Sequence, residues 1–467
     1  MFSSLEKKYK IYLKYFSDYF TFLLLIHACF YFIYIISGNR LKNFSPYKPD
    51  IENIKLGNGS YAKIGIISDF QLSLESEQNG EKRYTHFANN LNLTLKYFKD
   101  HGIDLLIIVG DITNNGLLIN FLYFKKIFYS VYNEISKPLV ISLMGNHDFY
   151  DFNFTENENK KKFYKLTNSY PNSHYIINGY NFIFWSQDNH LINEKGFNNY
   201  TWIKNSIKYA QHNLKRNGDP IFLFTHIPPK RTVYGSEKLW GHTGIYEFLK
   251  KYHEIICISG HTHYSLKNIK SIWQGEFTAL NTQSISFINT DSYFENSKEI
   301  SYESMKDFES MGLIAHLTDK NVIFERIEFS TGQTMEEKWQ IDFPINMFNF
   351  QYTFDKRNKK EKPIFHDNNI EIKKILINNI YEKYIVFTAA THSDYVYKYK
   401  IILKNINNNN QKVLYYYSDY YKSKKKRKKK VKFKLPKIGD SGIYFLEIYA
   451  IDSFDNTSNP IKKKVSI

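Results

Sequence analysis

Cysteine is scarce. Cys29 and Cys257 are the only two in 467 residues, which excludes a disulfide framework. Acid is also short, with 46 Asp and Glu against 63 Lys and Arg and a formal net charge of +17, so the favoured partners are acidic surfaces or polymers. Charge is missing altogether from one apolar run, Tyr19–Ser37, which approaches the ~20 residues needed to cross a bilayer. Lys7, Lys8, Lys10 and Lys14 precede this run, and Arg40 and Lys42 follow it. That bias predicts a cytoplasmic N-terminus and an external remainder. The run is longer than a usual signal-peptide core and has no A-x-A-like cleavage site, which favours an uncleaved anchor. The expected organisation is a cytoplasmic segment over 1–18, a transmembrane anchor over 19–37 and a linker over 38–61 carrying Pro46, Pro49, Gly57 and Gly59.

The rest of the chain is rich enough in apolar residues, at 43%, to build packed cores, and too long for one of them. Strands are predicted at Ile64–Ser68, Leu105–Val109, Leu139–Met144, Asn181–Trp185, Ile221–Phe224 and Ile255–Ser259. Helices are predicted between them at Arg83–His101, Phe121–Ile135, Asn199–Lys215 and Gly244–Lys251. Phe87, Leu91, Leu95 and Phe98 fall on one face of the first helix. This alternation makes an α/β domain. Runs at Phe277–Leu280, Gly312–Leu317 and Val322–Phe329 are expected to close a second sheet. After Pro344 the texture becomes lysine-rich and all-β, with a strand at Ile443–Asp452. Gly442, Tyr444, Ala450 and Asp452 in and before that strand resemble a late strand of immunoglobulin-like or fibronectin-like modules.

Five polar signatures each follow a predicted strand. They are Ser68-Asp69-Phe70-Gln71, Gly110-Asp111, Gly145-Asn146-His147-Asp148, Thr225-His226 and Gly260-His261-Thr262-His263. Strand ends are where α/β sheets gather ligand-binding loops. The signatures supply three carboxylates, four imidazoles and two amides, an inventory suited to two divalent metals about 3.5–4 Å apart. Any single Asp or Asn here could be a turn residue or a helix cap; five in order are not explained that way.

The order and residue types resemble the calcineurin-like metallophosphoesterase superfamily, across Ala62–Pro344. The resemblance implies a two-sheet sandwich flanked by helices over 62–344, while the all-β texture and the Gly442–Asp452 pattern make 345–467 an immunoglobulin-like β-sandwich. It implies two divalent ions, Mn, Fe or Zn, with Asp111 bridging. Asp69, Gln71 and His263 would complete the first metal, and Asn146, His226 and His261 the second. Gln71 departs from the pattern, since most of the family has His there. A metal-activated hydroxide would attack phosphorus in line, with His147 as general acid and Asp148 holding its ring. Asn114 stands where purple acid phosphatases carry a Tyr, so no Fe(III)-tyrosinate centre is expected.

Gly110-Asp111-Ile112-Thr113-Asn114-Asn115-Gly116 resembles the phosphodiesterase-like branch, and the loop after His226 resembles extracytoplasmic bacterial members of that branch. The latter resemblance implies Tyr234, Trp240 and His242 at the substrate groove, with ordinary aromatic packing an equal alternative for each. The run Lys422–Lys430 reads as a solvated loop tip, available to an anionic surface polymer or lipid. The leading expectation is a single-pass cell-membrane phosphodiesterase with an extracytoplasmic catalytic domain, in which the region from Ile345 onward is dispensable for small-ester turnover. The competing readings are a surface polyanion-binding protein with a catalytically weak phosphoesterase domain, or a nuclease. Nucleic acid is disfavoured by the anchor and by the absence of an aromatic-interleaved basic patch.

Overall fold

The computed structural model describes residues 44–74, 83–293, 300–305, 310–377, 380–420, 422, 427–436 and 442–466. The chain divides into two compact units, Met1–Pro46 and Tyr47–Ile467. The apolar run Tyr19–Ser37 lies outside the described residues, among which no helix is long and apolar enough to cross a membrane.

The second unit opens with β1 (Glu52–Ile54), β2 (Ala62–Ile67), α1 (Arg83–Asp100), β3 (Leu105–Val109), α2 (Leu118–Val131), β4 (Leu139–Leu143) and α3 (Glu156–Thr167). It continues with β5 (Asn172–Ile177), β6 (Tyr180–Trp185), α4 (Tyr200–His212), β7 (Ile221–Phe224), α5 (Thr243–Leu249), β8 (Ile255–Ser259), β9 (Ile272–Gln274) and β10 (Thr278–Asn281). Then come β11 (Ile288–Tyr293), β12 (Ile300–Met305), β13 (Met311–Leu317), β14 (Asn321–Glu328), β15 (Gln333–Thr334), β16 (Trp339–Asp342) and α6 (Phe354–Arg357). The last seven strands are β17 (Ile370–Ile377), β18 (Ile380–Thr388), β19 (Val396–Asn405), β20 (Gln411–Tyr417), β21 (Lys430–Lys434), β22 (Ile443–Asp452) and β23 (Ile461–Ser466).

Two sheets form the first body, one ordered β1-β5-β6-β7-β8-β10-β9 and the other β15-β14-β13-β2-β3-β4, with β16 also on β14. Side chains of a strand alternate between faces, and here both faces are covered. Leu105, Ile107 and Val109 of β3 point between the sheets, while Leu106 and Ile108 meet the helices outside. In the other sheet Phe182, Phe184, Phe222 and Phe224 face inward, and Ile183, Trp185, Ile221 and Leu223 pack under α4 and α5. The predicted face of α1 is buried as its spacing requires, with Phe87, Leu91, Leu95 and Phe98 at most 3% exposed.

Three placements differ from the expectations. Residues 47–56, assigned to a linker, belong to the first sheet: Tyr47 bridges Asn172, β1 runs parallel to β5, and Leu56 is buried. They cover what would be an open strand edge. The boundary at Pro344 is also too early, because Ile345, Phe350 and Tyr352 bury themselves in the inter-sheet core. Finally, the strand expected at Phe277–Leu280 lies beside β8 in the first sheet and does not close the second.

β11 and β12 pair as a two-stranded ribbon, and the last seven strands form two sheets, β17-β18-β21 and β20-β19-β22-β23. They close over a core that includes Ile385, Phe387, Ile401, Leu403, Leu446 and Ile448. The basic run is not wholly a solvated tip: Lys430 begins β21, and Arg427 turns inward to donate to the Tyr420 and Lys422 carbonyls at 2.6 and 3.1 Å.

Candidate metal centre

All five signatures sit at the C-terminal ends of parallel strands, on β2, β3 and β4 in one sheet and β7 and β8 in the other. The two rows of strand ends meet over one spot. Reaching it forces the backbone into the left-handed region at Asp69 (φ 57°), Gln71 (46°), Asp111 (54°), His261 (68°) and His263 (57°). Each such non-glycine residue costs about 1–3 kcal/mol, and strain of this kind gathers where a site demands it. The surroundings over-determine it. Asp69 N–H donates to the Gly110 carbonyl at 3.1 Å, Gln71 N–H to the Asp111 carbonyl at 3.0 Å, and Gly260 N–H to the His226 carbonyl at 3.0 Å. Two motif glycines are required by space: a Cβ at Gly145 would overlap the Asp111 carboxylate, and one at Gly110, where φ is +86°, would stand 2.5 Å from His226 Nδ1.

Asp69, Asp111 and His226 each bring a ligand atom within 4.8 Å of the others, and all three are buried. His226 Nε2 lies 3.2 Å from Asp111 Oδ2 and 3.8 Å from Asp69 Oδ1, and its Nδ1 is fixed by the Val109 carbonyl at 2.8 Å. His263 Nε2 lies 3.0 Å from Asp69 Oδ1. Burial opposes charge on His226, but the Asp111 and Asp69 carboxylates outweigh it and raise this imidazole to about 9. Burial likewise disfavours the Asp111 carboxylate, but His226 and His147 hold it well below the usual range. His263 and His226 do the same for Asp69. Burial and the neighbouring His226 push His261 down to about 3, so it stays neutral. The two carboxylates thus draw positive charge to the spot, held here as a proton on His226, while His261 stays a neutral donor.

Four polar atoms here are buried without a hydrogen-bond partner: Asn146 Oδ1, His226 Nε2, His261 Nε2 and His263 Nδ1. Buried polar groups are almost always paired, and each orphan costs about 1–3 kcal/mol. Oxygen and imidazole donors left open around a carboxylate pair fit divalent cations. Gln71 reaches the same place, its Nε2 lying 3.4 Å from Asp111 Oδ2.

His147 stands at the edge of the cluster, half-buried, with its N–H on Asp111 Oδ1 at 2.9 Å and its Nδ1 on the Asn114 carbonyl at 2.7 Å. Asp148 does not hold that ring. Its carboxylate accepts from Gly145 N–H at 3.1 Å and from the Thr113 N–H and hydroxyl at 3.0 Å each, which ties two of the signature loops together. Burial and then the Asp111 charge raise the Asp148 carboxyl to about 6.

Of the three residues expected at a groove, Trp240 lies beside the centre, its ring 5.3 Å from that of His261. His242 is buried instead and caps α5 by accepting from Ile245 N–H at 3.1 Å. Tyr234 bonds through its hydroxyl to Tyr397 of the C-terminal sheets. Tyr150 is a residue the signatures do not reveal. It accepts from Asn146 Nδ2 at 3.0 Å, and its ring lies 4.6 Å from that of His147.

Residues 62–265 match the family model of the calcineurin-like phosphoesterases. The chain thus carries a calcineurin-like phosphoesterase domain, and the cofactors of such a domain are two divalent metal ions. Among solved structures it is similar to a dimetal phosphatase from Danio rerio, with 13% identity, a TM-score of 0.39, and coverage of 60% of this chain and 99% of that one. It is also similar to GAP50, the anchor in the inner membrane complex of Plasmodium, with 14% identity, a TM-score of 0.37 and coverage of 64% and 92%. A purple acid phosphatase from yellow lupin shows 14% identity, a TM-score of 0.40 and coverage of 61% and 54%. No curated protein sequence matches the chain.

Proposed function

We propose that the chain is a membrane-anchored, extracytoplasmic dinuclear-metal phosphodiesterase. The observation that carries the reading is the set of four open donor atoms on Asn146, His226, His261 and His263 around the buried Asp69 and Asp111 carboxylates. Asp111 would serve both ions, Asp69, Gln71 and His263 one, and Asn146, His226 and His261 the other. When bound, the ions supply Lewis acidity and a water of lowered pKa. His147 holds the proton for the leaving oxygen: its Nδ1 is committed to the Asn114 carbonyl, so Nε2 is the nitrogen left to meet substrate. Tyr150 and the exposed Phe152 extend from His147 as stacked rings 5.8 Å apart, a bed for an organic leaving group. Tyr19–Ser37 supports the anchor, and the C-terminal pair of sheets is read as immunoglobulin-like. Lys422–Lys430 supports attachment to an anionic polymer or lipid headgroups.

The test is metal content and hydrolysis of a diester panel by full-length Asp111→Asn and Asn146→Ala proteins. Both should lose bound metal and at least ~10³-fold in turnover, with circular dichroism unchanged. Undiminished turnover in either variant overturns the site.

A further inference from the structure

The C-terminal sheets sit on the turn that carries His261 and His263. Tyr395, Tyr397 and Tyr420 form one buried apolar cluster with Ile288, the first residue of β11. The two residues flanking Ile288 hold the metal-site turn directly: the Phe287 ring lies 4.3 Å from that of His263, and Asn289 N–H donates to the His263 carbonyl at 2.9 Å. Asn289 Nδ2 also reaches the Thr262 carbonyl at 3.0 Å. A second line of contact runs through side chains. The Tyr397 hydroxyl bonds that of Tyr234, and the Tyr234 ring packs edge-on at 4.6 Å against Tyr264, the residue after His263. A third grips the segment that follows. Tyr395 Oη accepts from Ile269 N–H at 3.3 Å, and Arg357 donates to the Ile269 and Ile272 carbonyls.

His261 and His263 both need this support, since each is held at positive φ, by 68° and 57°. We infer that Tyr395 and Tyr397 are positioning residues for the centre: they lock the 260–272 segment so that both imidazoles keep their place, which makes the C-terminal domain a working part of the phosphoesterase. The inference rests on the metal-site reading above. It reverses the expectation that the region from Ile345 onward is dispensable for turnover.

The test uses full-length Tyr395→Phe/Tyr397→Phe protein, which keeps both rings and removes both hydroxyls, with exposed Tyr381→Ala as the control. Loss of a partner that orients ligands typically weakens metal binding 10- to 100-fold. The double variant should therefore bind Mn²⁺ about 10-fold more weakly by calorimetry, with lower kcat at limiting Mn²⁺, unchanged KM for the ester, and recovery at excess Mn²⁺. In metal-free protein, amide hydrogen exchange should quicken about 10-fold over 260–272 and stay unchanged over 105–113. The control should match the wild type throughout. If the melting temperature falls while the Mn²⁺ isotherm and the 260–272 exchange stay as in the wild type, the tyrosines are merely structural and the inference is wrong. Wild-type protein inert on every ester would defeat the phosphodiesterase reading alone, because exchange over 260–272 still decides this one. If the double variant does not fold, Tyr397→Phe alone is read the same way.

Discussion

His147 is useful because of what its other nitrogen is doing. With Nδ1 bound to the Asn114 carbonyl, Nε2 is left to face a leaving group, and a proton there matters in proportion to how badly the leaving group needs it. An alkoxide cannot depart without one; a nitrophenolate scarcely requires it. His147→Ala should therefore lose ~10²-fold or more in kcat on an alkyl phosphodiester and much less on an activated aryl ester, with metal content unchanged. Equal losses on the two esters would remove the acid role. The residues that meet at the centre were legible in the sequence because their types are dictated by chemistry and their strand ends by apolar runs. The partner of His147 was not, since a backbone carbonyl leaves no mark in the side-chain sequence; assigning Asp148 to that task was the natural error. Gln71 illustrates the same limit in reverse. Its placement beside Asp111 follows from the motif, but which amide atom faces the carboxylate is settled only by packing.

At the scale of the element, helices and strands with a strong apolar period were readable to within a few residues. Leu105–Val109 and Ile221–Phe224 coincide with the observed strands because both faces of a covered parallel strand must be apolar. The polar helix α3, ENENKKKFYKLT, escaped because only Phe163 of its apolar residues is deeply buried and no stripe repeats. Its start was nonetheless marked, by Thr155 three places before Glu158. In the structure the Glu158 N–H donates to Thr155 Oγ1 at 3.3 Å, and the Glu158 carboxylate accepts from Thr155 N–H at 2.8 Å. With little apolar surface to hold it, this helix depends on its cap more than its neighbours do. Thr155→Ala should cost about 1 kcal/mol, seen as a lower urea midpoint at unchanged slope. A midpoint equal to the wild type would show that Lys160 and Lys162, paired with Asp188 and Asp151, hold α3 without its cap. Strand β5 escaped for a different reason: its first half, Asn172, Ser173 and His174, is polar, although all but one of its six residues are buried.

That histidine sets a limit on the whole molecule. His174 is 4% exposed, its Nε2 donates to Asn181 Oδ1 at 2.9 Å, and its Nδ1 is buried with no partner. Protonation would place an unpaired N–H and a charge inside the sheet. Burial accordingly drives its pKa from 6.5 down to about 4. Between those values the unfolded chain binds a proton that the folded one refuses, so stability falls as pH falls, and the contribution is flat above 6.5 and again below about 4. The slope for one such proton is about 1.4 kcal/mol per pH unit. A second acid-driven term competes with it. The formal charge is already +17 with histidines neutral, and acidification adds to the self-repulsion. Salt separates the two, because repulsion among exposed charges is screened and a buried imidazole is not. His174→Gln, which keeps a donor for Asn181, should flatten the dependence of unfolding free energy on pH between 6.5 and 4 relative to the wild type, equally at about 0.05 and 0.5 M salt. Urea unfolding of both proteins across that window is the measurement. Parallel curves that shift together with salt would assign the acid sensitivity of the fold to its net charge, and not to the His174 ring.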